Sequence, residues 1–316
     1  MKKVIYMAVA ALLVTGCGED KDLEPSGLDR NWFAVEDSSD PVDHLRYEIY
    51  SQTGVTLFRK DTIGSIDRGL DALGNPYIYY EVLDVNYAIT SRVEVATYEL
   101  SEDDEAAIAG FELMRDRVIP ALPKKLYPRC FLLVDKLNIT QTKNQNGEAS
   151  AYKGMMTTVV GRLNTIRTMS EAEKKRLAAG VLAEIVSVYL VSECATELEE
   201  FYSKANTKTA GGDDYNFYTK TDDIREKSPG TSRPVFKDWK EYGFLVHDTS
   251  YTSFNDTPGS RSYKTVGQRR DVETFMVEVL LDDDAAFEAA YGAYPLILEK
   301  YELLKAVWAG VRNELQ

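Results

Sequence analysis

The chain has 316 residues, with 51 acidic against 37 basic side chains and a formal charge of −14. A face that tracks nucleic-acid phosphates needs clustered Lys and Arg, which this sequence lacks, so the composition argues against nucleic acid as a partner. A chain of this length, 44% hydrophobic, can bury a sizeable core as one large domain or two closely packed lobes.

Lys2 and Lys3 precede an apolar run from Val4 to Val14 that ends in Leu13-Val14-Thr15-Gly16-Cys17. A basic start followed by a short apolar run has the form of a signal peptide. At about eleven residues the run is too short for the ~20 that a membrane-crossing helix needs. Its stop at a cysteine resembles the lipobox of bacterial lipoproteins. That resemblance implies removal of residues 1–16 and acylation of Cys17, with palmitate among the chains, so that lipid holds the protein at a membrane. Gly18-Glu19-Asp20-Lys21-Asp22 resembles the export signal of lipoproteins of Bacteroidetes-type bacteria, which implies an outer-membrane address facing the cell exterior. The same acidic segment, with Pro25, Ser26 and Gly27, also reads as a plain solvated tether over residues 17–30.

Residues 31–169 mix strands and helices. GVTLFRK (Gly54 to Lys60), PYIYYEVL (Pro76 to Leu83), Cys130 to Asp135 and Gly154 to Gly161 are short β-rich or apolar runs bounded by Gly, Pro or polar clusters, and each predicts a strand. Ser101-Glu102-Asp103-Asp104 predicts a cap for a helix that carries Ile108, Phe111 and Met114 and stops before Pro120.

Residues 170–316 read as helical. Ser170-Glu171-Ala172-Glu173 fits a capping box, and Leu177, Val181, Leu182, Ile185 and Tyr189 recur at helical spacing behind it. The spacing predicts a central helix running to about Ser203. Lys204 to Arg233 is rich in Thr, Ser, Gly and Asp and predicts a long polar loop. Gln268 to Leu281 carries Val272, Phe275, Met276 and Val279 at helical spacing. Asp282-Asp283-Asp284 lacks the alternation of a calcium loop and predicts a cap for a helix begun by Ala285. Pro295 opens a final helix with Ile297, Tyr301, Leu304, Trp308, Val311 and Leu315 on one stripe. The resulting fold class is α+β, a mixed lobe over about 31–169 and a helical lobe over about 170–316 packed on a central helix.

Beyond Cys17 the cysteines are Cys130, in a run that reads as a buried strand, and Cys194, near the end of the central helix. An exported chain sits where disulfides persist, so a bridge and two buried thiols are both open.

The order of parts (lipobox, mixed lobe, capped central helix, polar loop, helical end) resembles the zinc metallopeptidase lipoproteins encoded beside SusC/SusD-type nutrient importers. The resemblance covers most of residues 31–316 and implies a zincin-like domain. In that family the central helix carries His-Glu-x-x-His, whose histidines bind zinc while the glutamate acts as base. The matching residues here are Ala183-Glu184-Ile185-Val186-Ser187, so Glu184 remains as a remnant and both histidines are gone. The family's later acidic stretch matches Glu273-Thr274-Phe275-Met276-Val277, with Val277 at the second acidic position. The resemblance therefore implies a metallopeptidase-like pseudoenzyme with a lost zinc site and no other cofactor. It further implies an accessory binding or docking role beside a TonB-dependent SusC/SusD-type importer.

The residues point the same way independently. The chain has two histidines, His44 and His247, about two hundred residues apart, whereas catalytic zinc wants three protein ligands and an open water position. No Gly-x-Ser-x-Gly elbow, P-loop or Gly-x-Gly-x-x-Gly is present. Rings set among small polar residues remain as a candidate surface: Tyr215, Phe217, Tyr218, Tyr251 and Phe254, suited to peptide or glycan capture or to docking a partner. The alternative is that these rings fold back over the helical lobe. Two rival functions stand beside the accessory reading: a zinc-dependent or other hydrolase of peptide or glycan at the cell surface, and a structural lipoprotein without a nutrient ligand.

Overall fold

The computed structural model of the chain describes residues 30–87, 95–139, 149–220, 222–227, 230–249 and 254–315. Cys17 and Tyr251 lie outside the described residues. The described residues form two compact units. The smaller holds residues 30–32 and Ser65–Tyr80, and the larger holds Phe33–Gly64 and residues 81–315.

The smaller unit is the end of a hairpin between β2 (Thr62–Leu70) and β3 (Pro76–Val82). Its turn is closed by Asp71, whose carboxylate accepts from the amides of Leu73 and Asn75. The Arg68 guanidinium lies 4.7 Å from the Tyr79 ring centre.

In the larger unit the first helix, α1 (Pro41–Thr53), starts where Asp40 accepts from the amides of Val42 and Asp43. It stops at Gly54, whose φ of 75° is the left-handed conformation that a residue without Cβ adopts freely. The chain then enters β1 (Thr56–Phe58), the edge of a four-stranded sheet ordered β1-β5-β8-β7. In it β5 (Cys130–Leu133) lies parallel to β1 and to β8 (Thr157–Val160), while β7 (Ala151–Lys153) runs antiparallel to β8 at the far edge. A second pair, β4 (Ala96–Glu99) with β6 (Lys136–Ile139), is antiparallel.

The sheet separates two apolar layers because side chains alternate along a strand. Phe131 and Leu133 of β5 face the main core, and Cys130 and Leu132 face a smaller cluster with Phe58, Leu137, Tyr152 and Val159. α2 (Asp104–Leu113), capped by Asp103, enters the main core with Ala107 and Phe111. It passes through a π-helical turn, Met114–Val118, into a short 3-10 turn that contains Pro120. The residue pattern thus placed the start of this helix, whereas α-helical geometry ends at Leu113, before Met114 and well ahead of Pro120.

The central helix is α3 (Glu171–Glu193), with the Ser170/Glu173 capping box formed as its sequence specifies. It ends ten residues before Ser203. Cys194 leaves helical geometry, and a separate α4 (Glu199–Ser203) follows. Leu190, Cys194, Leu198 and Phe201 are all buried in the main core, so apolar spacing continues across the break and conceals it. Cys130 and Cys194 are both free and buried. Burial pushes the Cys130 thiol up to about 11.

The long polar segment is not a plain loop. β9 (Asn206–Lys208) and β10 (Asp214–Asn216) form a hairpin, and β11 (Ile224–Arg225) pairs with β12 (Ser262–Tyr263). These enclose a third cluster that includes Tyr215, Phe217, Ile224, Tyr242, Phe244 and Tyr263. α5 (Gln268–Leu281), α6 (Asp284–Tyr291) and α7 (Pro295–Leu315) complete the chain. α6 is capped by Asp283, whose carboxylate accepts from the Ala286 amide. Val272, Phe275 and Met276 of α5 and Ile297, Leu304 and Trp308 of α7 enter the main core beside α3. The architecture is α+β, a mixed sheet followed by helices on a central helix. Among the described residues no helix is long and apolar enough to cross a membrane.

Candidate functional site

A cleft of about 1110 Å³ opens in the larger unit. Its walls come from the start of β7 (Ser150, Ala151), from α3 (Gly180, Glu184), from the first turns of α5 (Gln268 to Val277), and from Trp239, Leu245 to Thr249, Phe254 and Asp256. Of the central helix, Gly180 and Glu184 are the residues that reach it. They sit four apart and so share a face. Ala183 and Ser187 are fully buried, Ala183 in the main core and Ser187 with its hydroxyl on the Glu184 carbonyl. The two positions that match the family's histidines therefore do not line the cleft.

Gly180 is there because the sheet edge comes close. A Cβ at this position would lie 2.8 Å from both Cβ and Oγ of Ser150. Gly180→Ala should gain about 1 kcal/mol of helix propensity and lose about 1–3 kcal/mol to overpacking. The expected result is a net loss in urea denaturation that Gly180→Ala with Ser150→Gly recovers. A stabilised single mutant would show that the close approach is loose.

Glu184 is 3% exposed and tied on both oxygens. Oε1 accepts from the Lys153 amide of β7 at 2.9 Å, and Oε2 accepts from Arg269 at 2.9 Å. One carboxylate thereby joins the central helix, the sheet edge and α5. Burial, with Glu273 nearby, lifts Glu184 to about 6, against the opposing pull of Arg269 and the Lys153 amide. Glu273 accepts in turn from Arg270 at 2.6 Å.

The zinc implied by the family resemblance does not fit these residues. Both carboxylates already carry a guanidinium, and a dication brought to them would meet two like charges at close range. Gly180 has no room for an imidazole. Among the described residues no group of three or more His, Cys, Asp and Glu is placed to hold a metal ion. His44 sits at the exposed start of α1, 2.7 Å from Asp37, and its pKa is raised by that hydrogen bond. His247 lies instead in the cleft wall, 8% exposed, between Trp239 and Phe254.

The candidate rings divide. Phe254 lines the cleft and is 42% exposed. Tyr215 and Phe217 do not display their rings. Both are buried in the third cluster, where Phe217 packs 4.8 Å from Tyr242 and 5.1 Å from Tyr215. Tyr218 turns inward too, donating its hydroxyl to Asp271 at 2.5 Å. The expectation of a ligand surface at these three is corrected: alternation along β10 turns Tyr215 inward, and the next turn carries Phe217 and Tyr218 after it.

Sequence reasoning passed over Arg269, Arg270, Gly180 and Trp239. Three of these had a readable signal. Arginines are disfavoured in a helix's first turn by its dipole, so an adjacent pair at the start of α5 asks for a buried acidic partner. A glycine inside a long helix costs stability and marks a close approach. Compared with known proteins, this chain matches no protein-family model, no curated protein and no solved structure.

Proposed function

We propose that the chain is a lipid-anchored outer-membrane protein whose cleft binds a ligand without hydrolysing it, as an accessory subunit of a SusC/SusD-type TonB-dependent importer. The observation that carries the binding reading is the pairing of Glu184 with Arg269 and of Glu273 with Arg270. A carboxylate tied on both oxygens, to a backbone amide and a guanidinium, is poorly placed to take a proton from water. A cleft of about 1110 Å³ with mixed polar and apolar walls is of the size and kind that holds small ligands. The metallopeptidase-like reading is supported by a capped central helix that packs under a mixed sheet and turns a glutamate toward the cleft.

Purified protein is expected to release no product from casein or from neutral oligosaccharides. Sustained turnover abolished by Glu184→Gln would establish the hydrolase reading instead. The anchor rests on the Leu13 to Cys17 motif. Cys17→Ala is expected to move the protein from the membrane to the soluble fraction and to end co-purification with an importer. Unchanged fractionation would remove the lipoprotein from the account.

A further inference from the structure

We infer that the aromatic end of the cleft, formed by Trp239, His247 and Phe254, is a subsite for a neutral sugar ring. The inference rests on the cleft being a binding site and adds the class of ligand. The His247 and Phe254 rings are parallel, with centroids 4.4 Å apart and an interplanar angle of 4°, and Trp239 meets the imidazole edge-on at 4.5 Å. All three residues line the cavity. Trp239 Nε1 and His247 Nδ1 are buried and have no hydrogen-bond partner in the protein. A buried polar atom left in that state is uncommon and calls for a partner from outside the chain.

The partner's chemistry follows from what each group needs. The indole N–H can only donate, so it needs an acceptor, and a carboxylate can only accept. The imidazole does either according to its tautomer. Asp248 and Asp256 line the same cavity with Thr249 and Gln268. A hydroxyl both donates and accepts, so a ligand rich in hydroxyls serves all of these groups together. An apolar peptide side chain serves none. An anionic ligand would satisfy the indole but would face four carboxylates (Glu184, Asp248, Asp256, Glu273) set against two guanidiniums (Arg269, Arg270) in the cavity lining. The apolar face of a pyranose ring matches the half-exposed Phe254 ring, which stacks on the His247 imidazole.

The test uses the full chain on an array of neutral oligosaccharides (α-glucans, xylans, mannans, chitin fragments and neutral mucin-type glycans), with acidic glycans and peptides on the same array. Neutral glycans are expected to be retained. For a retained glycan, Phe254→Ala and Trp239→Ala are each expected to weaken calorimetric binding about tenfold, the order of one lost stacking contact. Thermal melts separate this from unfolding, and Phe254→Ala, at an exposed ring, keeps the test valid if Trp239→Ala does not fold. Retention of peptides or acidic glycans alone, or neutral-glycan binding undiminished in both variants, would overturn the subsite. Cleavage of a retained glycan would instead contradict the non-hydrolytic role and leave the sugar subsite standing.

Discussion

Replacing Lys300 by methionine is expected to destabilise the fold by about 3–5 kcal/mol, the cost of leaving a buried charge without its partner. Lys300 and Asp271 are both fully buried, with Nζ 2.5 Å from Oδ2. Nζ also donates to the Gly243 carbonyl at 2.8 Å, and it sits 4.4–4.8 Å from the ring centres of Phe201, Phe244 and Phe275. Burial pushes the lysine's pKa down and the aspartate's up, so each depends on the other to stay charged. In Lys300→Met the carboxylate stays in the same apolar surroundings and keeps the Tyr218 hydroxyl as its donor. The loss should appear as a lower urea midpoint with little change in slope. Lys300→Met with Asp271→Leu should recover much of it, because the pair together stabilises far less than either member alone destabilises when orphaned. The pair also matters to the cleft. Asp271 directly follows Arg269 and Arg270, so tying it to α7 fixes the turn of α5 that presents both arginines. A single-mutant loss below about 1 kcal/mol would contradict this.

Alanine at Tyr215, Phe217 and Tyr218 together is expected to leave no folded population at 25 °C. Removing one buried large aromatic side chain costs about 3–5 kcal/mol. Three such losses in one cluster, about 9–15 kcal/mol if additive, are as large as the ~5–15 kcal/mol that holds a domain together. Phe217 contacts Tyr215, Tyr242 and Phe244, so its ring joins β10 to the segment that leads into the cleft wall. Phe217→Leu, which keeps most of the volume, should cost about 1.5 kcal/mol or less and serves as the graded control. Circular dichroism with urea titration reads both. A triple variant with native spectra and an unchanged melt would return these rings to the surface, contrary to their burial.

Much of the fold was legible because local chemistry decides it. Ser170 with Glu173, Asp103, Asp283 and Pro295 each sit at helix starts, since each meets an orphan backbone donor or, for proline, needs none. The failures came where tertiary contacts decide. Apolar spacing through Leu190, Cys194, Leu198 and Phe201 serves one continuous core even though the backbone breaks at Cys194, so periodicity alone overran the helix. The segment after Ser203 reads as polar loop by composition, yet it folds into the β9–β10 hairpin, and Tyr215 of β10 and Phe217 in the turn after it are both core.

The candidate site was less legible. Glu184 could be singled out from the sequence, but its setting depends on Lys153, Arg269 and Glu273, which lie 31 to 89 positions away in a chain of 316. Matching the motif by its glutamate placed the flanking positions at Ala183 and Ser187, which the helix turns into the core. The face that reaches the cleft carries Gly180 and Glu184 instead. Which face a long helix turns to a cavity is set by its packing against the sheet and α5, and a helix this widely buried gives little directional signal in its sequence.

In the non-hydrolytic role proposed for the cleft, Arg269 and Arg270 balance the charges of Glu184 and Glu273 and leave no place for a zinc ion. Elemental analysis of protein purified without chelator, followed by zinc calorimetry, tests it most directly. Well under one equivalent of zinc and negligible binding heat are expected, both in the wild type and in Ala183→His with Ser187→His, whose new imidazoles would point away from the cleft. One equivalent of zinc in the wild type, lost in Glu184→Gln or Glu273→Gln, would contradict it.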